Sequence, residues 1–176
     1  MRKFKLCQTD LYNSIKEIPD TPEFRKEYEE NHCFYLTEEE YYLKDNLYHK
    51  DCMRLPNGLP RFGAIGGGFS VKFYLHPSGE IEKIAKCRAC GEELNLTKKS
   101  KELHLDDKTY EEYHKKALKS YSKLTELEYA RYKKFLEDHS GNTIIIDFIG
   151  TGLGWIVTLK DETTGEYTSI TDINNW

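Results

Sequence analysis

Residues 70–91 read SVKFYLHPSGEIEKIAKCRACG. Ser70 to Leu75 alternates and is rich in β-formers, so it predicts a strand. His76-Pro77-Ser78-Gly79 is turn chemistry. Glu80 to Lys86 predicts the returning strand. The hairpin runs straight into Cys87-Arg88-Ala89-Cys90-Gly91. Two thiolates two residues apart on a tight turn can reach one Zn²⁺, and the glycine after them permits the turn.

A tetrahedral ion needs two more ligands. His49-x-x-Cys52 repeats the spacing of two, with 34 residues between Cys52 and Cys87. The pattern H-x₂-C-x₃₄-C-x₂-C predicts a Cys₃His structural site made of His49, Cys52, Cys87 and Cys90. In those four residues it resembles a zinc-knuckle or zinc-ribbon site, and it points to no family. His32, Cys33 and His76 are the substitutes that could complete the site in place of the first pair. Five cysteines are an odd number, which suits ligands and reduced thiols better than a disulfide framework. A redox pair is the weaker reading: Glu92 and Glu93 would raise the neighbouring thiols, and no helix start follows.

Upstream of the hairpin the chain reads as helical. Asp10 starts a short helix through Ile18. Thr21 and Pro22 start a second, to about Asn31. Thr37 with Glu40 forms a capping box for a third, carrying Tyr41, Tyr42, Leu43 and Leu47 toward His49. Downstream, Thr109 to His139 is the strongest helical region. Boxes at Thr109–Glu112 and Thr125–Glu128 suggest two helices with a kink near Lys123, or one long helix. Thr143–Ile149, Trp155–Lys160 and Tyr167–Thr171 predict a C-terminal antiparallel sheet, with a hairpin turn at Thr163-Thr164-Gly165. The expected fold is therefore α+β: N-terminal helices, a zinc-knuckle hairpin, a long helical segment and a three-stranded sheet. One domain over 1–176 is expected, with a subdivision into 1–106 and 107–176 as the alternative.

An offset of 74 aligns Gly91, Glu92 and Thr97 with Gly165, Glu166 and Thr171. It also sets Leu96 against Ile170, and Val71, Tyr74 and Leu75 against Ile145, Phe148 and Ile149. With so few identities, chance and two sheet segments of one design are both open readings. Thr163-Thr164 stand near the positions of the first copy's cysteines, so no second metal site is expected.

Several activities find no support. The glycines at 63, 66, 67 and 68, and at 150, 152 and 154, precede predicted strands rather than helices, so neither cluster is a phosphate loop. There is no His-Glu-x-x-His, no Gly-x-Ser-x-Gly and no deaminase pattern. No apolar run approaches the roughly 20 residues of a membrane helix, and MRKFKLCQTD lacks a signal-peptide apolar region. A cytoplasmic protein without catalysis is expected.

The charge is uneven. Residues 97–135 carry 11 basic and 7 acidic side chains, and residues 136–176 carry 1 and 7. The acidic end, with Asp147, Trp155, Asp161, Glu162, Glu166 and Tyr167, is the candidate surface for a protein partner, as in a small inhibitor or immunity-type protein. The alternative is a zinc-ribbon-like nucleic-acid binder using Lys98, Lys99, Lys115, Lys116, Lys119 and Lys123. On one helix, 115, 119 and 123 would share a face. A pI of about 5.9 argues against it.

Overall fold

The computed structural model describes residues 15, 17–46, 52, 56–57, 68–117, 122–151 and 154–173. The predicted helix from Asp10 lies mainly outside them, as do His49, Lys119 and the glycines at 63, 66, 67 and 152. Among the described residues the fold is α+β, with five helices.

Helix α1 spans Pro22–Asn31, with the Thr21 hydroxyl accepting the Phe24 N–H at 3.2 Å and proline in the first turn. A two-residue strand β1, Cys33–Phe34, leads to α2, Glu38–Asn46. The hairpin follows as β2, Phe69–Leu75, and β3, Ile81–Cys87. Then come β4, Glu93–Asn95, and the short helix α3, Leu96–Ser100. Helix α4 spans Asp107–Ala117. Its first turn is capped by Asp106, which accepts from the Thr109 N–H at 3.0 Å, so the predicted start at Thr109 is two residues late. The long helical region then breaks at strand β5, Ser122–Lys123, before α5, Glu126–Asp138. Strands β6, Ile144–Gly150, β7, Trp155–Asp161, and β8, Tyr167–Ser169, complete the chain.

The hairpin and the C-terminal strands are not separate sheets. They join through β2 and β6 into one antiparallel sheet of order β4-β3-β2-β6-β7-β8. Strand alternation explains why they meet. Val71 and Phe73 on β2 and Ile146 and Phe148 on β6 fall on one face, and all four are buried. Helices α1 and α5 cover that face with Phe24, Tyr129, Ala130 and Phe135. Phe34 inserts between the two halves, its ring 5.2 Å from Phe73 and 5.2 Å from Phe148. Burying these rings is the main source of stability, roughly 1.5–3 kcal/mol for each large apolar side chain.

One buried ion pair fixes α2 to the sheet. Glu40 closes the Thr37 capping box at 2.9 and 3.2 Å and takes the Lys83 ammonium at 2.7 Å. Glu40 is only 3% exposed. Replacing Lys83 with Met strands that charge, and a loss of about 2 kcal/mol is expected in urea unfolding. The further change Glu40→Gln should recover part of it.

Candidate metal centre

The cysteine site is built at the open end of the β2–β3 hairpin. Phe69 pairs with Cys87 there, and the turn end lies six register steps away at Leu75 and Ile81. Cys87 is the last residue of β3 and is buried at 2% exposure. The chain then folds back: the Gly91 N–H donates to the Cys87 carbonyl at 2.8 Å, and the Cys87 N–H donates to the Glu92 carbonyl at 2.8 Å. Gly91 has φ +80°, which a side chain would resist. The Arg88 N–H donates to Gly68 at 3.0 Å, tying the turn to the segment entering β2.

This backbone aims the N–H groups of Cys90 and Ala89 at the Cys87 sulfur. Cys52 arrives from the segment beyond α2. The Sγ atoms of Cys52, Cys87 and Cys90 all lie within 4.8 Å of one another. Three sulfurs around tetrahedral Zn²⁺ at about 2.3 Å would sit about 3.8 Å apart. The three-sulfur half of the predicted pattern is therefore gathered at one point.

The electrostatics of the cluster are uneven. Burial disfavours a thiolate at Cys87, but the Cys90 and Ala89 N–H groups and the neighbouring thiols outweigh it and hold this thiol below its ordinary range. Burial and the sulfurs of Cys90 and Cys87 push the Cys52 thiol up to about 11. Three sulfurs this close cannot all ionise together without a cation. A divalent ion would supply that charge and displace the remaining protons.

The substitutes proposed for the second ligand pair lie elsewhere. His32 points its Nδ1 to the Tyr28 carbonyl at 2.7 Å, and its Nε2 lies 3.1 Å from Cys33 Sγ. These two residues form their own pair beside β1. His76 sits at the turn end of the hairpin, with Nδ1 3.3 Å from Thr143 Oγ1. Strand geometry of about 3.3 Å per residue sets it some 20 Å along β2 from the Cys87 end. Neither His32, Cys33 nor His76 joins the cluster.

The acidic surface is only partly assembled. Asp161 ends β7 facing the core at 0% exposure, so it is a structural carboxylate and not a contact residue. Alternation from Leu159 dictates this. Trp155 packs edge-on against Phe148, 6.3 Å between centroids. Asp147 lies on the opposite sheet face but is half-buried, and desolvation raises its carboxyl despite Ser70, Lys72, Arg88 and Lys86 nearby. Glu162 and Tyr167 are exposed, and Glu166 is half-buried.

The basic stripe does not form a helical face. Helix α4 stops at Ala117, and Lys123 lies on β5 opposite Cys33. Lys116 is engaged by Glu112 at 2.8 Å and by Asp45 at 3.8 Å. Lys98 and Lys99 close the separate helix α3, and Lys115 is exposed near the end of α4. No described helix is long and apolar enough to cross a membrane. Comparison with protein-family models, curated proteins and solved structures finds no match to this chain.

Proposed function

We propose that the chain is a zinc-stabilised binding protein of a reducing, cytoplasmic compartment, acting by contact with another protein and without catalysis. The gathering of Cys52, Cys87 and Cys90 within 4.8 Å supports the zinc site. The backbone N–H groups on Cys87 support it further, because they stabilise a thiolate in the turn. His49, three residues before Cys52, is the proposed fourth ligand. The ion joins the segment after α2 to the end of β3, which is a structural task. The partner surface reduces to the end of the β7–β8 hairpin, where Glu162 and Tyr167 remain exposed next to Glu166. Acidic groups around a tyrosine suit a basic protein surface, as an inhibitor or immunity-type protein would meet.

Metal analysis of protein purified without added metal tests the site. One Zn²⁺ per chain is expected, falling to none in Cys87→Ser or Cys52→Ser and unchanged in Cys33→Ser. Metal-free protein with three freely reactive thiols at the cluster would refute it.

A further inference from the structure

We infer that β1, α2 and β2–β4, and β5, α5 and β6–β8, are two copies of one strand-helix-three-strand unit, and that the Asp161 turn is the second copy's metal knuckle, with His139 where an ion would sit. This rests on reading the cysteine cluster as a metal site.

The correspondence runs element by element. In each copy the three sheet strands have 7, 7 and 3 residues. The sheet order is a mirror sequence outward from the β2–β6 contact. Each copy's helix opens with the same capping box, at 2.9 and 3.2 Å in both. The boxes lie in Leu36-Thr37-Glu38-Glu39-Glu40-Tyr41 and Leu124-Thr125-Glu126-Leu127-Glu128-Tyr129, identical at five of six positions. Each copy ends with a threonine covering a strand edge. Lys83 N–H donates to Thr97 Oγ1 at 2.8 Å, and Val157 N–H donates to Thr171 Oγ1 at 2.9 Å. Equivalent strands pair with each other antiparallel, β1 with β5 and β2 with β6, as a two-fold axis through the molecule requires.

The two turns superpose in the same terms. Asp161 N–H donates to the Glu166 carbonyl at 2.9 Å and Gly165 N–H to the Asp161 carbonyl at 2.9 Å, as Cys87 and Gly91 do with Glu92 and Cys87. Gly165 has φ +73° against +80° at Gly91. Thr163 and Thr164 N–H groups donate to Asp161 Oδ1 at 2.7 and 3.0 Å, where Ala89 and Cys90 serve the Cys87 sulfur. Asp161 thus replaces Cys87, and Thr164 replaces Cys90. The anion's outer side, which faces Cys52 in the first copy, meets His139 Nδ1 at 2.7 Å and Asn142 Nδ2 at 2.7 Å in the second. His139 Nε2 lies 3.5 Å from Glu166 Oε2, so the ring sits between two carboxylates.

If the frame is that of a metal knuckle, two sulfurs should restore binding, with His139 as a third ligand already in place. The test is zinc stoichiometry of D161C/T164C and of the full turn transplant D161C/E162R/T163A/T164C, beside wild type. One ion in wild type and two in either variant is the expected result. A variant unfolded in chelator that folds on taking two ions supports the inference equally. One ion in wild type and one in both folded variants overturns the inference and leaves the first site standing. Variants that stay unfolded in saturating zinc also overturn it. A wild type without zinc overturns both.

Discussion

Stripping the proposed zinc ion from the Cys52–Cys87–Cys90 cluster is expected to lower the unfolding temperature by roughly 8–16 °C. The size follows from linkage. An ion bound only by the folded chain, at a thousand times its dissociation constant, contributes about 4 kcal/mol. For a chain of this length each kcal/mol moves the midpoint by roughly 2–4 °C. The loss should be local in origin. The sheet core of Phe73, Ile146 and Phe148 lies away from the hairpin's open end and keeps its packing. Cys52 loses its tether to β3, and its amide should exchange faster before those of the sheet do. Calorimetry with and without chelator reads the shift. Cys87→Ser should reproduce it without chelator and show no further response to zinc. An unchanged midpoint in both experiments contradicts a structural ion.

Asp161→Ala should destabilise by roughly 3–5 kcal/mol, since it leaves several buried donors unpaired at about 1–3 kcal/mol each. The substitution leaves His139, Asn142 and two backbone N–H groups without their acceptor. The wild-type pair also gives a signed pH dependence. Burial pushes the Asp161 carboxyl up, but the hydrogen bonds from Thr164, Asn142, Thr163 and His139 outweigh it and hold it down to about 2. Its folded pKa is thus below the unfolded value of 3.8. The contribution is complete above about pH 4 and is lost as pH falls toward 2, on the order of 2 kcal/mol over that range. Glu128 and Asp147 act in the opposite sense, since desolvation raises both. Urea midpoints between pH 5 and 2 should therefore fall less steeply in Asp161→Ala than in wild type. Parallel slopes would show that Asp161 is not the group responsible.

Much of the local structure was legible because its signals are local. Thr21-Pro22, Thr37 with Glu40 and Thr125 with Glu128 start helices where the sequence places them, since a cap needs only its own next turn. The hairpins turn at His76–Gly79 and at Thr163–Gly165 for the same reason. What escaped depends on contacts between distant segments. Nothing near Lys72 announces that β2 pairs with β6. Lys123 sits in a strand because Cys33 pairs with it, overriding the helical pattern on either side. Asp161 reads as a surface acid until the core-facing register of Leu159 is known. The gathering of Cys52, Cys87 and Cys90 was legible through spacing alone. The sheet half of the inferred duplication leaves a trace at an offset of 74, and the repeated Leu-Thr-Glu-x-Glu-Tyr carries its helix half.

X-ray absorption at the zinc edge of natively purified protein tests the central claim most directly. Three sulfurs at about 2.3 Å and one nitrogen at about 2.0 Å are predicted, with His49→Ala replacing the nitrogen by a light-atom solvent ligand. A spectrum dominated by oxygen and nitrogen, with fewer than two sulfurs, would contradict the assignment of Cys52, Cys87 and Cys90 as the metal centre.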